Sequence, residues 1–130
     1  MKTASLVIGL FFCLQSSAQS SVALQHSPHF NNSPIAFQFL RGHSQGHNYA
    51  LQWNMTNNAG IVRFEVQSTY EDPFDPYSNW LSLGSIESGR RNLFHFSDHP
   101  AWPGIINYRV IAYLRNGSTL VSDCLTTVIN

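Results

Sequence analysis

The 130-residue chain carries seven Lys and Arg against seven Asp and Glu, and it is 43% hydrophobic, 13% aromatic and only 11% charged. Sparse charge with abundant aromatic side chains suits a packed core and excludes a disordered chain. No basic excess marks a nucleic acid or an anionic membrane surface as partner.

The chain opens as an export signal. Lys2 precedes an apolar run at residues 6–14 (LVIGLFFCL), and Ser16-Ser17-Ala18 supplies the small residues of a cleavage site, so cleavage is expected after Ala18. That run is shorter than the roughly 20 apolar residues a spanning helix needs. No stable membrane insertion is expected once the signal, residues 1–18, is removed. Cys13 follows Phe11-Phe12 rather than small residues, which argues against lipid attachment. The expected product is secreted, periplasmic or on the cell surface, with six arginines, no lysine and seven carboxylates. Cys124 is then the one thiol left, so the core must hold without a disulfide. It is read as a buried small hydrophobe on the last strand, or else as a reactive or intermolecularly paired thiol.

Residues 19–33 (QSSVALQHSPHFNNS) lack periodicity and read as a flexible leader. From residue 34 onward the pattern is that of strands. Ile35, Phe37 and Phe39 alternate with Ala36, Gln38 and Leu40 in a first strand that ends at Gly42. Residues 42–48 are expected to form a turn. Tyr49, Leu51 and Trp53 then place a large apolar load on one face. In residues 61–69, Val62, Phe64 and Val66 alternate with Arg63, Glu65 and Gln67. Residues 71–78 (EDPFDPYS), with two prolines, form a loop. Trp80, Leu83 and Ile86 anchor a shorter strand, and their spacing demands a bulge. Phe94 and Phe96 mark the next strand, and residues 98–104 (DHPAWPG) cross to the other layer. Last come two long runs joined by Asn116-Gly117, a pair suited to the positive φ angles of a type I′ hairpin turn. Tyr108, Val110, Ala112 and Leu114 supply its apolar face. Seven strands without a helix predict an all-β, antiparallel sandwich of two sheets occupying residues 34–130.

Four segments carry a resemblance: Leu51-Gln52-Trp53, Phe64-Glu65-Val66-Gln67-Ser68, Phe94-His95-Phe96-Ser97-Asp98 and Asn107-Tyr108-Arg109-Val110. In that order they resemble the fibronectin type III-like modules of exported bacterial proteins, over residues 34–128. The resemblance implies an immunoglobulin-like sandwich with Tyr108 packed under a loop, and it implies no activity. The loop at residues 71–78 is longer and more aromatic than that family's usual turn.

Candidate chemistry is thin. His26 and His29, and His43 and His47, are spaced like ligand pairs for Zn or Cu. Both pairs fall in expected loop with no Cys or carboxylate between them, so solvated histidine is the competing reading. His95 and His99 flank Asp98 and suggest an acid–base pair, yet alternation sends His95 to the face opposite Phe94 and Phe96. Glu71, Asp72 and Asp75 lack the spacing of a Ca²⁺ loop. Neither a G-x-S-x-G elbow nor a phosphate loop is present. Trp53 and Trp80 read as core. Phe74, Tyr77 and Trp102 fall in proline-flanked loops, where they would form a contact patch or else brace the core. The expectation is therefore an exported non-catalytic module, not an enzyme, that binds an exported or surface protein or a glycan through Phe74, Tyr77 and Trp102. No cofactor, metal site or catalytic residue is assigned, and the oligomeric state is open. The alternative is a His-based metal-binding or small enzymatic domain.

Overall fold

The computed structural model describes residues 34–130, so the signal at residues 1–18, the leader at residues 19–33, His26 and His29 lie outside the described residues. The strands are β1 (Phe37–Gln45), β2 (Asn48–Met55), β3 (Ile61–Thr69), β4 (Leu81–Glu87), β5 (Leu93–Asp98), β6 (Gly104–Leu114), β7 (Thr119–Val121) and β8 (Leu125–Ile129), with no helix among the described residues. One sheet runs β1-β2-β5. The other runs β4-β3-β6-β7, with β8 also paired to β6. Every pairing is antiparallel.

Alternation builds the interior. Tyr49, Leu51, Trp53 and Met55 of β2 meet Phe64 and Val66 of β3 and Ile106, Tyr108, Val110 and Ala112 of β6, all buried. At the centre Trp53 packs on Phe64 and Phe94 with ring centroids 5.6 and 5.8 Å away, and Phe64 and Phe94 are 4.5 Å apart. Burying side chains of this size contributes about 1.5–3 kcal/mol each, which lets the sheets cohere without a disulfide.

Several expectations change at irregular points. An eighth strand exists because the final run breaks at Ser122. Its Oγ accepts the Val110 N–H at 2.8 Å and donates to the Asp123 carbonyl at 2.8 Å, so a side chain interrupts the ladder between β7 and β8. The Asn116-Gly117 hairpin forms, but not through a type I′ turn. Gly117 alone takes a positive φ, +91°, and its N–H donates to the Leu114 carbonyl at 3.0 Å, giving a type I turn closed by a glycine bulge. Gly42 does not end β1; the strand continues to Gln45, and the turn shrinks to two residues, Gly46 and His47. A bulge between Phe37 and Phe39 puts Leu40, not Phe39, against the core, and leaves Phe39 under the Arg41 guanidinium, 4.1 Å from it. A second irregularity between Ile61 and Arg63 buries Ile61 and leaves Val62 48% exposed. The bulge expected in β4 is present, opposite Val66 and Gln67. Trp80 nevertheless lies outside the core, half-buried, with the Arg109 guanidinium 3.9 Å from its ring. Cys124 is exposed rather than buried.

Candidate functional site

The loops that carry the sequence's aromatic candidates leave the same end of the sandwich. β3 runs into the loop at residues 70–80, and the loop at residues 99–103 runs into β6, whose Asn107 pairs with Thr69 at the end of β3. Tyr70 ties the two loops: its hydroxyl donates to the Trp102 carbonyl at 2.9 Å and accepts the Trp102 N–H at 3.3 Å. Buried Asn107 holds the base, donating from Nδ2 to the carbonyls of Thr69 (3.3 Å) and Glu71 (3.1 Å) and accepting from Thr126 Oγ1 (2.7 Å). Phe74, Tyr77 and Trp102 are 87%, 90% and 69% exposed, so none of them braces the core.

Trp102 stands between two clefts. One, of about 460 Å³, is lined by Ser44, His47, Asn48, His99, Trp102 and Asn130. The other, of about 250 Å³, is lined by Tyr70, Leu81, Leu83, Asp98, His99 and Trp102. His99 and Trp102 are walls of both. His99 Nδ1 lies 3.0 Å from Asn48 Oδ1; an amide oxygen only accepts, so Nδ1 is the donor in this bond. Asp98 is not paired with either histidine. Its Oδ2 accepts from the Tyr108 hydroxyl at 2.7 Å, and burial with this hydrogen bond drives the Tyr108 phenol pKa far above its usual value.

The carboxylates of the long loop serve the loop itself. Asp72 and Asp75 accept the N–H groups of Phe74 and Tyr77 at 2.9 Å, and Glu71 accepts that of Asn79 at 2.7 Å. Among the described residues no three of His, Cys, Asp and Glu gather as a metal ion would need. The His43/His47 pair is separated: His47 lines the first cleft, while His43 lies on the outer face of β1 in a groove that also holds His95. Desolvation raises the Cys124 thiol pKa, against opposite pulls from Thr126 and Arg109, so the sulfur does not favour a reactive thiolate. Sequence reasoning missed Tyr70, Asn48 and Asn107. Their roles depend on partners 19 or more positions away, of which periodicity holds no trace.

No protein-family description and no curated protein matches the chain. Solved structures do. Pectate lyase from Pectobacterium carotovorum, in two crystal structures, is 22% identical over 68% of this chain and 25% of its own, with TM-scores of 0.54 and 0.55. Pectate lyase from Erwinia chrysanthemi in complex with tetragalacturonic acid is 19% identical over 73% of this chain and 28% of its own, TM-score 0.55. The chain thus spans about a quarter of the length of the structures it matches, and the likeness is one of fold. It overturns the expectation of a non-catalytic module and the assignment as not an enzyme. Lack of a catalytic constellation in one stretch does not distinguish a free-standing binding unit from part of an enzyme, and the pectate lyases it resembles in fold are enzymes.

Proposed function

We propose that this chain is the β-sandwich part of an exported enzyme that degrades an acidic polysaccharide, with the polymer lying against Trp102. The observation that carries the reading is the likeness in fold to pectate lyase structures over 68–73% of this chain. A fold alone does not bring an activity with it, so the residues must supply what such a substrate needs. Trp102 offers an apolar ring to a sugar face, Tyr70 fixes the loop that carries it, and the His99 imidazole lines the same two clefts. Phe74 and Tyr77 extend the exposed aromatic surface on the neighbouring loop.

The finer description of the fold as fibronectin type III-like belongs to the same proposal, supported by the order β1-β2-β5 in one sheet and β4-β3-β6-β7, with β8 also beside β6, in the other. So do the domain limits, with the sandwich at residues 34–130, and export through residues 1–18, which would deliver the protein to a polymer outside the cell. The test uses full-length protein. It is expected to be retarded in native gels cast with polygalacturonate and to release unsaturated uronide from that polymer, with Trp102→Ala lowering both at least tenfold. Unretarded protein that releases no unsaturated uronide overturns the reading.

A further inference from the structure

We infer that the outer face of the β1-β2-β5 sheet is a binding groove for the carboxylated sugars of an acidic polysaccharide, which rests on the reading above and gives its substrate a second contact. The strand register stacks three rows across this face. Arg41, Gln52 and His95 form one, His43, Ala50 and Ser97 the next, and Gln45 with Asn48 the last. A groove of about 350 Å³ lies over this face, lined by His43, Gln45, Gln52, His95 and Ser97, with the small side chain of Ala50 leaving room at its floor and Arg41, stacked on Phe39, flanking it rather than lining it.

Three features define the ligand. The first is charge. Asp98, the one acid in these three strands, belongs to the inward-facing set of β5 and is bonded to Tyr108, so the outer face presents the Arg41 charge with no carboxylate to oppose it, beside the hydrogen-bonding imidazoles of His43 and His95. The outer face of the other sheet is different, because Arg63 and Arg109 share it with Glu65 and Glu87. An anion is therefore favoured on the first sheet and not on the second. The second is unused hydrogen bonding. The side chains of His43, Gln45, Gln52, His95 and Ser97 make no hydrogen bond within the described protein. They leave donors and acceptors for a hydroxyl-rich ligand.

The third is extent. From Arg41 to Gln45 the face runs four residues, about 13 Å at 3.3 Å each, longer than a single sugar ring. Beyond Gln45 its row partner Asn48 lines the first cleft, whose wall is Trp102. Groove and cleft thus adjoin at the β1–β2 turn and form one track suited to a polymer rather than a monosaccharide.

The experiment is affinity electrophoresis of the full chain in polygalacturonate, in the same polymer with its carboxyls methyl-esterified, and in dextran. Wild-type protein is expected to be held by polygalacturonate, at least tenfold less by the ester, and not by dextran. Arg41→Gln/His95→Ala, which removes the guanidinium charge and an imidazole, and Ala50→Leu, which fills the floor, should each weaken retention at least tenfold with an unchanged thermal midpoint. If both variants are held as firmly as wild type while Trp102→Ala is not, the groove is overturned and the proposed function stands. Equal retention by the esterified polymer overturns the groove as well. Wild-type protein that passes through polygalacturonate unretarded overturns both.

Discussion

Gly42 faces the ring of Tyr49. A Cβ at this position would stand 2.4 Å from Tyr49 Cε2 and 2.9 Å from its Cζ and hydroxyl oxygen. The ring has little freedom to yield, because Tyr49 is buried and stacked on Tyr108 with centroids 5.4 Å apart and planes 2° from parallel. The glycine therefore serves space rather than chain reversal, which is why β1 passes through it unbroken. Gly42→Ala is expected to destabilise the fold by about 1–3 kcal/mol, the usual cost of overpacking a tight interior. Urea unfolding followed by tryptophan fluorescence measures it. A loss below about 0.5 kcal/mol, the range of an ordinary surface change, would mean the ring moves aside freely.

Among the elements, the loop at residues 99–103 is held by a neighbour rather than by its own hydrogen bonds, since both backbone groups of Trp102 meet the Tyr70 hydroxyl. Tyr70→Phe removes that tie at a cost to global stability of about 0.5–1.5 kcal/mol. Its larger effect should be local, with the Trp102 amide exchanging hydrogen several-fold faster than in wild type while the β2 and β6 amides keep their protection. Unchanged exchange at Trp102 would show that the prolines on either side fix the loop without Tyr70. Strand phase explains how far such elements were legible in the sequence. β2 and the second half of β6 alternate without interruption, and both faces were readable. Phe39/Leu40 and Ile61/Val62 were not, because a bulge reverses the faces and each pair offers an apolar residue for either outcome. The prolines around Phe74, Tyr77 and Trp102 placed all three in loops but left open whether they brace the core, because exposure depends on where the loops pack. The rows that set His95 level with Gln52 and Arg41, and the cleft that joins His47 to His99, depend on long-range register and left no local mark.

At the scale of the whole molecule, two contacts join the sheets through one residue. Tyr108 of β6 stacks on Tyr49 of β2 and donates its hydroxyl to Asp98 of β5, so it reaches across the interior to two of the three strands opposite. Burial first, and then the hydrogen bond and charge of Asp98, hold its phenol protonated well above the ordinary value of 10.0. In the unfolded chain the phenol loses its proton near that ordinary value. Above about pH 10 the unfolded state therefore binds fewer protons than the folded one, and stability falls as pH rises, by up to about 1.4 kcal/mol per pH unit from this group. Below about pH 9 the contribution is complete and flat. Tyr108→Phe is expected to cost about 1.5–3 kcal/mol near neutral pH, where it deletes a hydrogen bond to a charged acceptor. It should also lose the part of the alkaline slope that Tyr108 supplies. Urea unfolding of both proteins at about pH 7, 9 and 10.5 separates the two effects, since the remaining tyrosines are common to both. The stability gap between wild type and variant should be constant up to about pH 9 and then close. A gap that stays constant to the most alkaline point would mean that the phenol does not carry the link between the sheets into the titration.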